Sequence, residues 1–120
     1  MTYQHIDPYV LFGAIGDDLD GFRALSHTFL DIAPPLFQRL QLAIGAGDSA
    51  STLHECHALK GTTALVGALH LTQLLHDCEC LARRGAQDLV LPRLPELARQ
   101  FAAVMREVGL SRLHFQGRPD

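Results

Sequence analysis

LPELARQFAAVMREV, residues 94–108, is the stretch that decides the fold class. Leu94, Leu97, Phe101, Val104 and Val108 recur in alternating steps of three and four, which gathers them on one face of an α-helix and on neither face of a strand. Pro92 and Pro95 restrict the beginning of this helix to their neighbourhood, since proline lacks the amide donor that a helix interior uses. Beyond Leu110 the pattern lapses, and residues 110–120 are expected to form a frayed, flexible tail.

The same period appears on moving back along the chain. Leu71, Leu74, Leu75, Cys78, Leu81 and Ala82 line one side of a helix from about Ala68 to Arg84, with Gly85 at the position of a C-terminal cap. Gly67 marks the preceding turn. Another helix opens at Asp48 or Ser49 and runs to about Val66; taking about 100° per residue, Thr52, Leu59, Thr63 and Val66 fall on its buried side. A longer stripe precedes it, made of Leu19, Phe22, Leu25, Phe29 and Ile32 and continued by Leu36, Leu40 and Ile44. Asp17 and Asp18 open that element, Gly45-Ala46-Gly47 closes it, and Pro34-Pro35 predicts a kink or a restart within it. Asp7-Pro8 starts a short helix from Pro8 to Ile15, which Gly16 ends.

No segment sustains the period-two alternation of a half-buried strand, and short glycine-marked connections favour antiparallel neighbours. The expected fold is all-α: an antiparallel up-and-down four-helix bundle with a short additional N-terminal helix. A chain of 120 residues suits one domain spanning 1–120 with its core at about 5–108. Hydrophobic residues make up 48% and charged residues 19%, enough apolar surface to bury a core.

Composition also narrows the function classes. A formal charge of −3 with no Lys/Arg-rich run argues against nucleic acid as partner. MTYQHIDPYV lacks the basic start and apolar core of a signal peptide, and no apolar run is long enough to span a membrane, so a cytoplasmic location is expected. Met1 and the compact length suit a free-standing protein, with monomer as the default state. Cys56, Cys78 and Cys80 cannot all pair within one chain and read as reduced thiols, two of them near apolar stripes.

Chemistry concentrates in HALKGTT, residues 57–63. His57, Lys60 and Gly61 share a helical face, opposite the buried one, with Leu53, His54 and Ala64. His57 is a possible nucleophile and Lys60 a cation for an anionic group. Gly61 costs about 1 kcal/mol relative to alanine inside a helix, so either open space above His57 or close helix packing must compensate. On the following helix Glu79 and Arg83, four residues apart, flank the apolar stripe. A carboxylate accepting Nδ1–H would leave Nε2 free as nucleophile, with Lys60 and Arg83 offsetting phosphoryl charge. An exposed salt bridge between Glu79 and Arg83 is the plainer alternative, worth a few tenths of a kcal/mol.

HALKGTTALVGA, His57 to Ala68, closely resembles the signature of histidine-containing phosphotransfer (HPt) domains of bacterial multistep phosphorelays, written H-x-L-K-G with small residues and then G-A. CECLARRG, with Glu79, Arg83 and Gly85, is similar to that family's downstream helix, and HIDPYVL extends the likeness from about His5 to Val108. The resemblance implies a four-helix bundle whose exposed histidine accepts a phosphoryl group from a receiver-domain aspartate and returns it to another receiver. By position, His57 is the phosphorylated residue, Lys60 its electrostatic helper, Gly61 the provider of space, and Glu79 the side chain that orients the imidazole. Arg83 is a looser correspondence.

The resemblance further implies a phosphoryl carrier with no kinase activity and no cofactor of its own, Mg²⁺ belonging to the partner receiver. Its partners would be receiver domains of response regulators and hybrid sensor histidine kinases. Leu53, His54 and Ala64 would contribute to the docking surface, joined by Ile6, Val10 or Phe12. Two other functions compete: a helical adaptor that binds a signalling partner without phosphorylation, and a metal site built from His54-Glu55-Cys56-His57 and Cys78-Glu79-Cys80. Helical spacing weakens the second, because Cys56 lies well round the helix from His54 and His57. His5, His27, His70 and His114 are expected to be ordinary surface or boundary residues.

Overall fold

The computed structural model describes residues 3–16 and 18–116, with side chains to residue 113. Among the described residues five α-helices follow one another: α1 (Pro8–Ala14), α2 (Leu19–Gly45), α3 (Ser49–Leu65), α4 (Leu69–Arg83) and α5 (Leu94–Gln116). No strand occurs among the described residues. α2 to α5 form the bundle, and α1 caps it against α2 and the turn after α3; the whole measures 51 × 21 × 19 Å. Two single 3₁₀ turns, Gln87–Leu89 and Leu91–Arg93, fill the connection between α4 and α5. Their irregular spacing left no periodic trace in the sequence.

Aspartates start the helices as their short side chains suggest. Asp7 accepts from the Tyr9 amide, Asp18 from the Asp20 amide and Asp48 from the Ser51 amide, each satisfying a donor that has no partner within the helix. Asp17 lies outside the described residues. The turn between α3 and α4 depends on Gly67, whose φ is +70°. A Cβ there would stand 2.6 Å from the Asp7 carbonyl oxygen. That close approach lets the Asp7 amide donate to the Val66 carbonyl and ties the N-terminal segment to the end of α3.

Phe22, Leu40, Ile44, Leu59, Leu71, Leu75, Val90, Leu97, Val104 and Val108 are the large side chains fully enclosed in the core. Thr52 and Thr63 are buried with them, and both are bonded: Thr52 accepts from Gln87 at 3.0 Å, and the Thr63 and Thr72 hydroxyls meet at 2.8 Å across α3 and α4. Burial of this set on α3, α4 and α5 follows the expected periodicity.

Two expectations for α2 change. α2 neither stops nor restarts at Pro34-Pro35. Both prolines face solvent, where water can satisfy the carbonyls deprived of donors, while buried Ala33 and Phe37 hold the helix on either side. The α2 stripe is also rotated: Ser26, Ala33, Phe37 and Ala43 are buried, whereas Leu25 and Ile32 are exposed. α5 runs past Leu110 to Gln116, and buried Ser111 donates to the Val108 carbonyl. Residues 117–120 lie outside the described part.

Candidate functional site

α3 presents His57 in the middle of its exposed face, with 75% of the side chain open to solvent. Cys56 and Leu59 on either side of it along the chain point into the core and fix the helix's rotation. His54, Gly61 and Ala64 share the exposed face, and Leu53 and Lys60 are half-buried at its edges. A Cβ added to Gly61 would meet nothing within 4 Å, so close helix packing does not explain the glycine. Open space stands over the histidine's downstream turn.

Glu79 is the hub of the site. It is buried rather than merely flanking the stripe, 3% exposed, on the face of α4 turned toward α3. Its Oε1 lies 2.7 Å from Lys60 Nζ, its Oε2 accepts from Arg83 Nη2 at 2.9 Å, and the same Oε2 stands 3.5 Å from His57 Nδ1. A carboxylate could not be buried here unpaired. The Lys60 ammonium first, then the Arg83 guanidinium, hold the Glu79 carboxyl below the usual carboxylate range against the upward push of burial. An open depression lined by Ala50, Leu53, His54, His57, Glu79 and Arg83 lies in front of the imidazole.

The arrangement leaves His57 Nδ1 facing an anion and Nε2 facing solvent. A ring so placed favours its hydrogen on the Glu79 side and its lone pair outward. It can attack an electrophile arriving from solution, and the cation that forms would sit beside a carboxylate.

Between residues 24 and 107 the sequence matches the family model of the Hpt domain. The chain belongs to the Hpt domain family. Its structure is similar to that of histidine-containing phosphotransfer protein B (HptB) from Pseudomonas aeruginosa PAO1, with a TM-score of 0.84 and 26% identity over 94% of this chain and 98% of that one. No curated protein matches it in sequence. This Hpt protein is therefore a histidine phosphotransfer component of phosphorelays, built on the helical bundle of its family.

The structure brings His57, Lys60, Glu79 and Arg83 together, with Gly61 beside them. It separates the residues of the metal alternative: Cys56 and Cys78 are buried, His57 is exposed, and no three metal-binding side chains converge among the described residues. Burial pushes the Cys56 thiol up to about 12 and raises Cys78 as well, which disfavours the thiolate that a metal would need. Ile6 belongs to the core and not to a docking surface, whereas Val10 is exposed and Phe12 half-buried.

Two further histidines make specific contacts. His5 is a boundary residue, as expected, and its Nδ1 lies 2.5 Å from Glu107 Oε2 while its amide donates to Oε1 at 2.9 Å. His76 went unnoticed, though it stands three residues before Glu79 and so shares a face of α4 with it. Its Nδ1 is 3.2 Å from Lys60 Nζ.

Proposed function

We propose that this Hpt protein carries its phosphoryl group on Nε2 of His57, accepting it from the acyl phosphate of one receiver-domain aspartate and delivering it to the aspartate of another. The observation that carries the proposal is the exposed imidazole whose Nδ1 faces buried Glu79. In the forward step Nε2 attacks phosphorus, the P–O bond to aspartate breaks, and the carboxylate leaves. The imidazole keeps its Nδ1 hydrogen, so the phosphoimidazole is cationic at the ring and is stabilised by Glu79. Reversal at a second receiver restores the neutral ring. Lys60 and Arg83 supply positive charge for the phosphoryl oxygens, and any Mg²⁺ belongs to the receiver.

Receiver domains dock, in this proposal, over the small-residue surface of α3 that includes Gly61 and Ala64, with Leu53 and His54 at its near edge. An apolar groove continues from it between α1, α2 and α3, where exposed Leu25, Ile32 and Leu65 are joined by Ile15. Leu25 and Ile32 are the residues that the rotated α2 stripe leaves outside the core.

The chain alone with ATP is expected to gain no phosphate, and with a phosphorylated receiver it is expected to gain an acid-labile, base-stable one. His57→Gln should abolish that transfer while leaving the helical circular dichroism spectrum intact. Transfer to His57→Gln at the wild-type rate would show that another residue is the carrier.

A further inference from the structure

His76 has no part in the phosphoryl chemistry described above, yet it shares Lys60 with Glu79. Lys60 Nζ stands 2.7 Å from Glu79 Oε1 and 3.2 Å from His76 Nδ1. An ammonium only donates hydrogen bonds, so Nδ1 accepts through its lone pair and the ring hydrogen sits on Nε2. Nε2 lies 3.5 Å from Cys80 Sγ, one turn further along α4, where a weak N–H···S contact completes the ring's partners.

Lys60 is thereby held on one side of the Glu79 carboxylate. α3 and α4 run antiparallel, so His57 looks across at Glu79 and Arg83, while Lys60, one turn later on α3, looks at Glu79 and His76. The depression in front of His57 is walled by His54 and Arg83, and Lys60 is not among its lining residues. In this arrangement the ammonium contacts Glu79 and His76 and does not line the space in front of the imidazole.

We propose that His76 is a positioning residue that parks Lys60 in the unphosphorylated protein and yields it when a phosphoryl group arrives on His57. The proposal rests on Lys60 being the cation of the phosphoryl oxygens. A phosphoryl oxygen is a charged acceptor and a neutral imidazole is not, so the exchange favours the phosphoryl group, but the bond to His76 must break first. His76 therefore restrains the site, and loss of its acceptor accelerates phosphorylation.

The test uses the full chain and phosphoramidate, which phosphorylates histidine without a partner protein: the His57 Nε2–P bond forms as the P–N bond of the donor breaks and ammonia leaves. His76→Ala is expected to raise the initial rate several-fold, to about tenfold, because solvent replaces much of an exposed hydrogen bond from an ammonium. His76→Asn, which keeps an acceptor, should restore the restraint, and in a Lys60→Ala background His76→Ala should change nothing. A rate that is unchanged or lower in His76→Ala, or an equal rise in the Lys60→Ala background, overturns the proposal. Nitrogen-15 NMR of the His76 ring gives a second readout, independent of rate. Wild type should show the Nε2–H tautomer and Lys60→Met a mixture; identical spectra would mean that His76 does not hold Lys60. If Lys60→Ala alone phosphorylates at the wild-type rate while the tautomer still depends on Lys60, the fault lies with the proposed role of Lys60 and not with its tether.

Discussion

His57 turns one ring nitrogen to a buried carboxylate and the other to solvent, and most of the site's behaviour follows from the Glu79 that it faces. Two cations share that carboxylate, so replacing it with a neutral amide leaves both less well paired. Glu79→Gln should lower folding stability at neutral pH by about 1–3 kcal/mol, less than a fully buried ion pair costs because Lys60 and Arg83 reach solvent. The pH dependence has a definite sign. The folded-state pKa of Glu79 is depressed, so its contribution is complete above the unfolded-state carboxylate range and is lost as pH falls through the folded value. Denaturant melts should accordingly show the wild-type advantage over Glu79→Gln at neutral pH and its disappearance in acid. Gly61 behaves in the opposite way. With nothing within 4 Å of a Cβ, Gly61→Ala should stabilise the helix by about 1 kcal/mol, yet slow receiver transfer if the open space is where a receiver closes on the histidine.

Between helices, the decisive joint is the turn from α3 to α4. Gly67 adopts φ of +70° with the Asp7 carbonyl packed on it, so Gly67→Ala meets both a strained backbone and a steric clash. A loss of about 2–4 kcal/mol is expected, combining the strain of a left-handed backbone with the displacement of Asp7, and thermal denaturation will measure it. How far these elements could be read from sequence depended on how many signals agreed. α5 combined a clean three–four period with prolines at its start, and the glycine and aspartate boundaries of α3 and α4 coincided with their stripes. On α2 the stripe of large residues misled, because Ser26, Ala33 and Ala43 take core positions that a search for bulky side chains passes over. Exposed Leu25 and Ile32 then passed for core. Within the site, His57, Lys60 and Gly61 were legible because they share one helix face. The burial of Glu79 and the contact of His76 with Lys60 required the register of α4 against α3, which neither helix specifies alone.

Across the whole molecule, the bundle keeps its chemistry on one open face while its N-terminal segment is strapped to the far helix. His5 contacts Glu107 through both its ring and its amide, and these bonds keep the Glu107 carboxyl low although burial alone pushes it up. The strap leads into α1, which forms one wall of the apolar groove. Glu107→Gln should therefore raise amide hydrogen exchange across α1 with little change in α3 and α4, showing that the groove's wall is held from outside the phosphoryl site. The central claim concerns one atom. The most direct measurement is phosphorus–nitrogen correlation NMR on the nitrogen-15-labelled chain after phosphorylation by a receiver. A single phosphoryl group coupled to Nε2 of His57 is the result predicted here. A phosphoryl group on Nδ1, or on any of the other histidines, would contradict it.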